Sequence, residues 1–222
     1  MPIGHPTNFS TCLSQLNNLS ATAQRLKAIA DIGLLYSTDG YNLERYDEIK
    51  EIAVQIFEQE LHFSTDDRAR LSVKVDNYVT PKVDVRAVVV YQNKLLMVQE
   101  KADNGYTVPG GWADAGLSPS EVAIKECFEE TGLHVSAHRV LAIIDKKAFE
   151  HPPALYATYK IFIECRLTEA NAPELKPGHD ILDAAFIDPD AIPPLSLERF
   201  TPNQLQLLLK QLANPDAPTI FN

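Results

Sequence analysis

The sequence predicts an α/β fold, a layered sandwich with a mixed sheet, preceded by a small all-helical domain. Three observations predict it. Apolar residues recur at helical spacing through the first third of the chain. Strand-like runs begin after Tyr78-Val79-Thr80-Pro81, and two capped helical segments break and close that series of strands. Strands mixed with helices, each needing one covered face, build helix-and-sheet layers. With 222 residues, 45% hydrophobic and 23% charged, the chain suits one large domain or two small ones. The change of pattern divides it into residues 1–80 and 81–222.

In the first part, LSATAQRLKAIADIGLLYS places Leu26, Ile29, Ile32 and Leu35 on one helical stripe. Gly33 interrupts that stripe without breaking it, at a cost of about 1 kcal/mol relative to Ala. STDGYN supplies turn residues. LERYDEIKEIAVQIFEQEL follows as a second amphipathic helix, with Tyr46, Ile49, Ala53, Ile56 and Phe57 on its apolar face. Ser64-Thr65-Asp66-Asp67 opens a short third helix. No phosphate loop or ligand cluster occurs here, so the region reads as a packing or dimerisation module, with a contribution to the ligand pocket as the alternative. A helix pair this small needs further burial, which predicts a homodimer.

Pro81 pushes its predecessor toward extended geometry. VDVRAVVVY is a near-continuous apolar run and therefore a central strand covered on both faces. Gln92-Asn93-Lys94 turns the chain into LLMVQE, its hairpin partner. HRVLAIIDKKA, LYATYKIFIECRL and ILDAAFID are three further strands. TPNQLQLLLKQLA closes the chain as a helix, capped by Thr201 with Pro202 at its first position.

Between the hairpin and the later strands lies PGGWADAGLSPSEVAIKECFEETGL. Ser118 caps a helix, Pro119 takes its first position, Glu121 completes a capping box, and Gly132 ends it. Glu126, Glu129 and Glu130 fall at i, i+3 and i+4, within one sector of the helix. Like charges so spaced cost roughly 0.2–0.5 kcal/mol per pair. A cation would relieve that cost, and for hard oxygen donors the cation is Mg²⁺, Mn²⁺ or Ca²⁺. A solvated acidic face is the plain alternative. Ile124, Cys127, Phe128 and Thr131 point the other way, which puts one face on the sheet and leaves the acidic face lining a site. Gly110-Gly111 admits close backbone approach and offers a carbonyl as a further hard ligand, or is simply a tight turn.

Composition excludes several classes. The net charge of −10 and pI near 5.0 argue against nucleic acid polymers, whose phosphates need a basic surface. A small anion met by metal and a few local cations remains compatible. No run approaches the ~20 apolar residues of a membrane span. The amino terminus lacks the features of a signal peptide. Cys12, Cys127 and Cys165 form no CxxC and read as reduced thiols of a cytoplasmic protein.

The glutamate segment resembles the Nudix box, G-x5-E-x7-R-E-U-x-E-E-x-G-U, where U is a bulky aliphatic residue. Gly111 takes its first position, Glu126 the first metal-binding glutamate, Glu129 and Glu130 the pair, and Gly132-Leu133 the end. Leu117 stands where the pattern has its first glutamate and Lys125 where it has arginine. In the family those two generally support loop and helix, so the departures imply an altered loop support with the metal ligands kept. GLLYSTDGYNLERYDEI, TPKVDVRAVVV and DAIPPLSLERFTPNQ are similar to the subgroup acting on nucleoside diphosphates linked to another moiety, which includes enzymes for ADP-ribose and CDP-choline.

The resemblance implies hydrolysis of a diphosphate bridge with Mg²⁺ or Mn²⁺, giving a nucleoside monophosphate and a phosphorylated remainder. It implies Gly110, Glu126, Glu129 and Glu130 as metal ligands, with the box glutamates catalytic. The general base is a box glutamate or a later carboxylate, Asp180 or Asp183, with Asp145 and Glu150 behind them. Arg86 is a candidate phosphate clamp or simply reaches the sheet edge, Gly111 is a close-approach site, and Trp112 either stacks on a base or packs under the loop. The rival reading is a Nudix-fold sensor that binds a nucleotide without cleaving it.

Overall fold

The computed structural model describes residues 9–168 and 174–222, with side chains of the first helix described from residue 18. The readings of the amino-terminal stretch and of the Cys12 thiol fall outside the described backbone and side chains. The chain forms two compact units, Met1–Pro81 with Pro152–Ala157, and Lys82–His151 with Thr158–Asn222.

The first unit holds α1 (Phe9–Tyr36), α2 (Gly40–Gln55) and α3 (Thr65–Ser72). Asp39 caps α2 by accepting from the Asn42 N–H, so that helix starts three residues ahead of the predicted Leu43. A π turn over Ile56–Glu60 ends the segment, and Ser64 with Asp67 forms the capping box of α3. The core of this unit is Ala23, Val54, Phe57 and Leu71. The predicted stripe of α1 does not build it. Ile29 is 38% exposed, Ile52 on α2 is 46% exposed, and Leu26, Ile32, Leu35, Ile49 and Ile56 are only half-buried. Gly33 marks the close approach of the two helices instead. A Cβ on Gly33 would lie 2.4 Å from the Tyr46 ring, so this glycine is a contact point and not an interruption. Asp31 is buried between Lys27 (2.5 Å) and Lys50 (3.0 Å).

The second unit contains β1 (Lys82–Tyr91), β2 (Lys94–Glu100), β3 (Tyr106–Thr107), β4 (Gly110–Trp112), α4 (Pro119–Thr131), β5 (Val135–Asp145), β6 (Thr158–Leu167), β7 (Ile181–Ile187), α5 (Pro202–Leu212) and β8 (Ile220–Phe221). β1 is central, as its apolar run predicts. It pairs parallel with β6 along its length and shares its other edge between β4 and the end of the β2 hairpin. β5 continues from β6, and β7 lies on β2. Gln92 and Asn93 both adopt left-handed φ (49° and 60°), as a two-residue hairpin turn requires.

Side chains alternate across β1. Val85, Ala87 and Val89 pack with Val122, Ala123 and Cys127 of α4. Val88 packs with Phe162, Leu141, Phe200 and Leu208 on the α5 side. The sheet is thus covered by helices on both faces. Among the described residues no helix is long and apolar enough to cross a membrane.

Candidate active site

The glutamate helix forms as its caps predict. Ser118 Oγ accepts from the Glu121 N–H while the Glu121 carboxylate accepts from the Ser118 N–H at 2.7 Å, and Gly132 at φ 74° ends the helix. Its orientation differs from the one read off the sequence. Val122, Ala123, Cys127 and Thr131 form the buried side. Phe128 is 46% exposed and stacks on His134, ring centroids 4.7 Å apart. Glu126 and Glu130 consequently border the packed face and are partly buried, whereas Glu129 is exposed.

Gly110 and Gly111 are not a free loop. They belong to β4, with Gly110 opposite Arg86 and Gly111 opposite Val85. A Cβ on Gly110 would sit 2.1 Å from the Val85 carbonyl oxygen, and one on Gly111 would sit 3.0 Å from a Glu126 carboxylate oxygen. The bare strand lets the helix carboxylates lie directly on it. Glu130 Oε2 accepts from the Gly110 N–H at 3.0 Å. It is therefore the N–H of Gly110 that the carboxylate engages.

Burial pushes Glu130 up to about 7; Glu100 and Glu126 add to the shift, and Arg86 and the Gly110 N–H oppose it. Burial also raises Glu126, against the pull of Lys125 and Arg86. Arg86 is buried on the central strand, not at a sheet edge. Its Nε donates to Asp84 Oδ1 (2.8 Å) and its Nη1 to the Val108 carbonyl (3.3 Å).

Lys125 bridges the glutamate helix and the loop before it. Its ammonium lies 2.8 Å from Glu129, 3.4 Å from Asp114 in the loop and 3.6 Å from Glu126. Asp114 supplies a carboxylate from another point of the loop, while Leu117 is partly exposed. A lysine needs only a point contact, where arginine would need a fork. Lys125→Met is expected to speed amide exchange across residues 113–117 a few-fold, as befits an exposed pair, and to leave global melting unchanged. Hydrogen-exchange mass spectrometry checks this; unaltered exchange would remove Lys125 from the loop's support.

The remaining candidates are placed elsewhere. Asp183, on β7 opposite Gln99, accepts from the Tyr106 hydroxyl at 3.1 Å. Asp180 is 94% exposed beside His179. Asp145 caps the short turn at Lys146–Ala148, and Glu150 is exposed. Among the described residues none of these four contacts the glutamate helix by hydrogen bond or ion pair. Trp112 is 53% exposed with Lys82 Nζ 5.2 Å from its ring centroid, so it does not pack under the loop.

Sequence reasoning missed Glu100. It ends β2, where the register with β7 shifts between Gln99 and Glu100, and irregularities of that kind re-aim side chains. Glu100 is buried, pairs with Arg199 at 2.7 Å, and is raised by burial against the pull of Arg199 and Arg86. A lone carboxylate closing the apolar run LLMVQE was the available signal.

Among the described residues, no three His, Cys, Asp or Glu side chains converge as a metal-holding group. The donor chemistry nevertheless fits a hard divalent cation. Glu126 and Glu130 are oxygen donors laid on one bare strand; burial raises both, Glu129 adding to the rise of Glu126 and Glu100 and Glu126 to that of Glu130, and a cation would offset such crowding of carboxylates.

A mixed sheet between helices, with a capped glutamate helix laid on a glycine strand, is an α/β/α sandwich carrying the motif noted above. A model of the NUDIX domain matches residues 80–211, and one described as a UDP-X-like, N-terminal oligomerisation domain matches residues 17–67. The chain belongs to the Nudix family and is a Nudix hydrolase. YjhB of Bacillus subtilis (strain 168), provisionally named an ADP-ribose pyrophosphatase, is 40% identical over 90% of this chain and 95% of its own. A crystal structure of an ADP-ribose pyrophosphatase from Streptococcus suis 89-1591 is 38% identical, with TM-score 0.57 over 64% of this chain and 100% of that one. A crystal structure of a UDP-X diphosphatase is 28% identical, with TM-score 0.58 over 91% and 98%.

Proposed function

We propose that this hydrolase cleaves the diphosphate bridge of a nucleoside diphosphate linked to a second moiety, with ADP-ribose as its first substrate and Mg²⁺ or Mn²⁺ as its cofactor. The observation that carries the reading is the seating of Glu126 and Glu130 on the Gly110-Gly111 strand, within the field of the buried Arg86. Glu126 and Glu130 would hold the cation, with Glu129, now paired with Lys125, as a third oxygen donor. Such a cation, when bound, would supply neutralisation of phosphate oxygens and a lowered pKa of bound water. Arg86 meets a phosphate, and Gly110 and Gly111 keep the surface bare so that a phosphate can approach. Water adds to one phosphorus, the bridging P–O bond breaks, and the leaving oxygen stays with the other product. ADP-ribose then yields AMP and ribose 5-phosphate. The two relatives named for ADP-ribose are 40% and 38% identical, against 28% for the one named for UDP-X, which orders the candidates.

Turnover of ADP-ribose, CDP-choline, UDP-sugars and dinucleotides with Mg²⁺ or Mn²⁺ tests the reading, with AMP from ADP-ribose expected. Binding of these nucleotides without turnover of any would overturn it in favour of a sensor.

The helical unit is proposed to pair two chains through the uncovered Ile29 and Ile52 and their half-buried neighbours, in keeping with the oligomerisation-domain match. Light scattering should give twice the chain mass of 24.7 kDa, and Ile29→Asp with Ile52→Asp should halve it. A monomeric parent protein would overturn the pairing. The free, buried thiols of Cys127 and Cys165 fit a cytoplasmic setting.

A further inference from the structure

Beneath Arg86 lies a buried charge group that the proposed reaction does not use directly. Asp84 and Arg86 project from the same face of β1, and Lys160 sits directly opposite Asp84 on the parallel strand β6. Lys160 is 0% exposed, and Asp84 and Arg86 are buried with it. One Asp84 oxygen accepts from Arg86 Nε at 2.8 Å and the other from Lys160 Nζ. The Phe162 ring lies 5.8 Å from the ammonium.

Two cations thus share one carboxylate, and the group carries a surplus positive charge out of water. Such a surplus is costly unless an anion balances it. Lys160 is fully buried, whereas Arg86 runs beside β4: its Cδ would lie 2.9 Å from a Cβ on Gly110, and its Nη1 donates to the Val108 carbonyl. The surplus is therefore expressed through Arg86. Two protein carboxylates lie in its field. Glu100 is already paired with Arg199, and Glu130 is a cation donor in the reading above. We propose that Lys160 is a positioning residue which, by saturating Asp84, leaves the charge of Arg86 available to a substrate phosphate. The inference rests on Arg86 being the phosphate clamp. Without Lys160, Asp84 would hold Arg86 as its sole counter-ion, and a neutral pair attracts an anion weakly.

The same arrangement sets a pH dependence. Lys160 faces Asp84 and Arg86 from β1, and Lys146 and His151 from the segment after β5. Lys146 is in turn 3.5 Å from Glu198. His151 is pushed to about 3 by burial, so it stays neutral. Its Nδ1 bonds the Leu197 carbonyl and its Nε2 bonds Gln204. Burial lowers Lys160 to about 8, helped by Arg86 and Lys146 and opposed by Asp84. Deprotonation above that value leaves Arg86 the sole counter-ion of Asp84, so anion binding weakens as pH rises.

Calorimetry with α,β-methylene-ADP in the presence of Mn²⁺ tests this on wild type, Lys160→Met, Lys160→Arg and Arg86→Gln. Lys160→Met should weaken binding about tenfold or more, the scale of a lost charge-assisted contact, with Mn²⁺ affinity unchanged. Wild-type binding should weaken above pH 8, while Lys160→Arg, which keeps its charge, stays flat. Should Lys160→Met fail to fold, the contrast between wild type and Lys160→Arg across pH decides. Lys160→Met binding like wild type, while Arg86→Gln binds weakly, would overturn the role of Lys160 and leave the clamp standing. Unchanged binding by Arg86→Gln would overturn the clamp itself.

Discussion

Glu130→Gln is expected to lower kcat by about three orders of magnitude while the fold persists. A lost charge at a metal-assisted phosphate site removes several kcal/mol of transition-state stabilisation, and each ~1.4 kcal/mol is a factor of ten. Glutamine has the same shape and keeps an oxygen for the Gly110 N–H that Glu130 now engages at 3.0 Å. Stability separates a chemical role from a structural one. An acid whose folded pKa is raised, here to about 7, binds its proton more tightly when folded than when unfolded. Metal-free wild type should therefore lose stability as pH rises from the ordinary glutamate range through 7. Glu130→Gln should lack that loss and melt, metal-free at pH 8, no lower than wild type. Steady-state kinetics, manganese binding and melting in chelator check the three parts. Near-wild-type turnover by the variant would sink the assignment of Glu130 as a cation donor.

Gly110→Ala should have the largest effect on stability. Its Cβ would meet the Val85 carbonyl oxygen at 2.1 Å and Arg86 Cα at 2.8 Å, on backbone at φ 145°. Both neighbours are main chain of the central strand, so neither can turn aside. β4 must leave β1, and the seat of Glu130 goes with it. Strain and overpacking together cost roughly 2–5 kcal/mol, which for a chain this size lowers the melting temperature by about 5–20 °C. Gly116→Ala is the control, since it too has positive φ (94°) but nothing within 4 Å. Equal melting of the two variants would show that crowding at β4 is not what demands the glycine. At Gly111 the neighbour is the end of the Glu126 side chain, 3.0 Å away, so alanine there should displace the carboxylate more than it destabilises the fold.

Local signals carried far in this chain. Ser118, Ser64 and Thr201 each cap the helix that the sequence assigns to them, every one with its reciprocal box. The run VDVRAVVVY becomes the central strand because apolar side chains at both parities can only be satisfied between two covered faces. The glutamate spacing and the terminal Gly132 were likewise visible, since helix geometry relates i to i+4 without reference to anything else.

What resisted reading depends on partners distant in the chain. Gly110-Gly111 looked like a loop because three residues are too few for a strand signal, and only the pairing with Asp84–Arg86 makes them one. The stripe of α1 looked like core, yet the interior is built from Ala23, Val54, Phe57 and Leu71, with Gly33 packed against the Tyr46 ring of α2. Glu100 and Lys160 gave almost no signal, because a charged residue in a strand is ordinary until the register sets what faces it.

The sequence by itself determined the order of the longer elements, the capped glutamate helix and its oxygen-donor chemistry, all of which follow from interactions within a few residues. Tertiary structure alone decided that Glu126 and Glu130 rest on a bare strand, that Lys125 reaches Asp114, and that Lys160 shares Asp84 with Arg86. Each of those depends on which strand lies beside which, and on which groups are thereby removed from water.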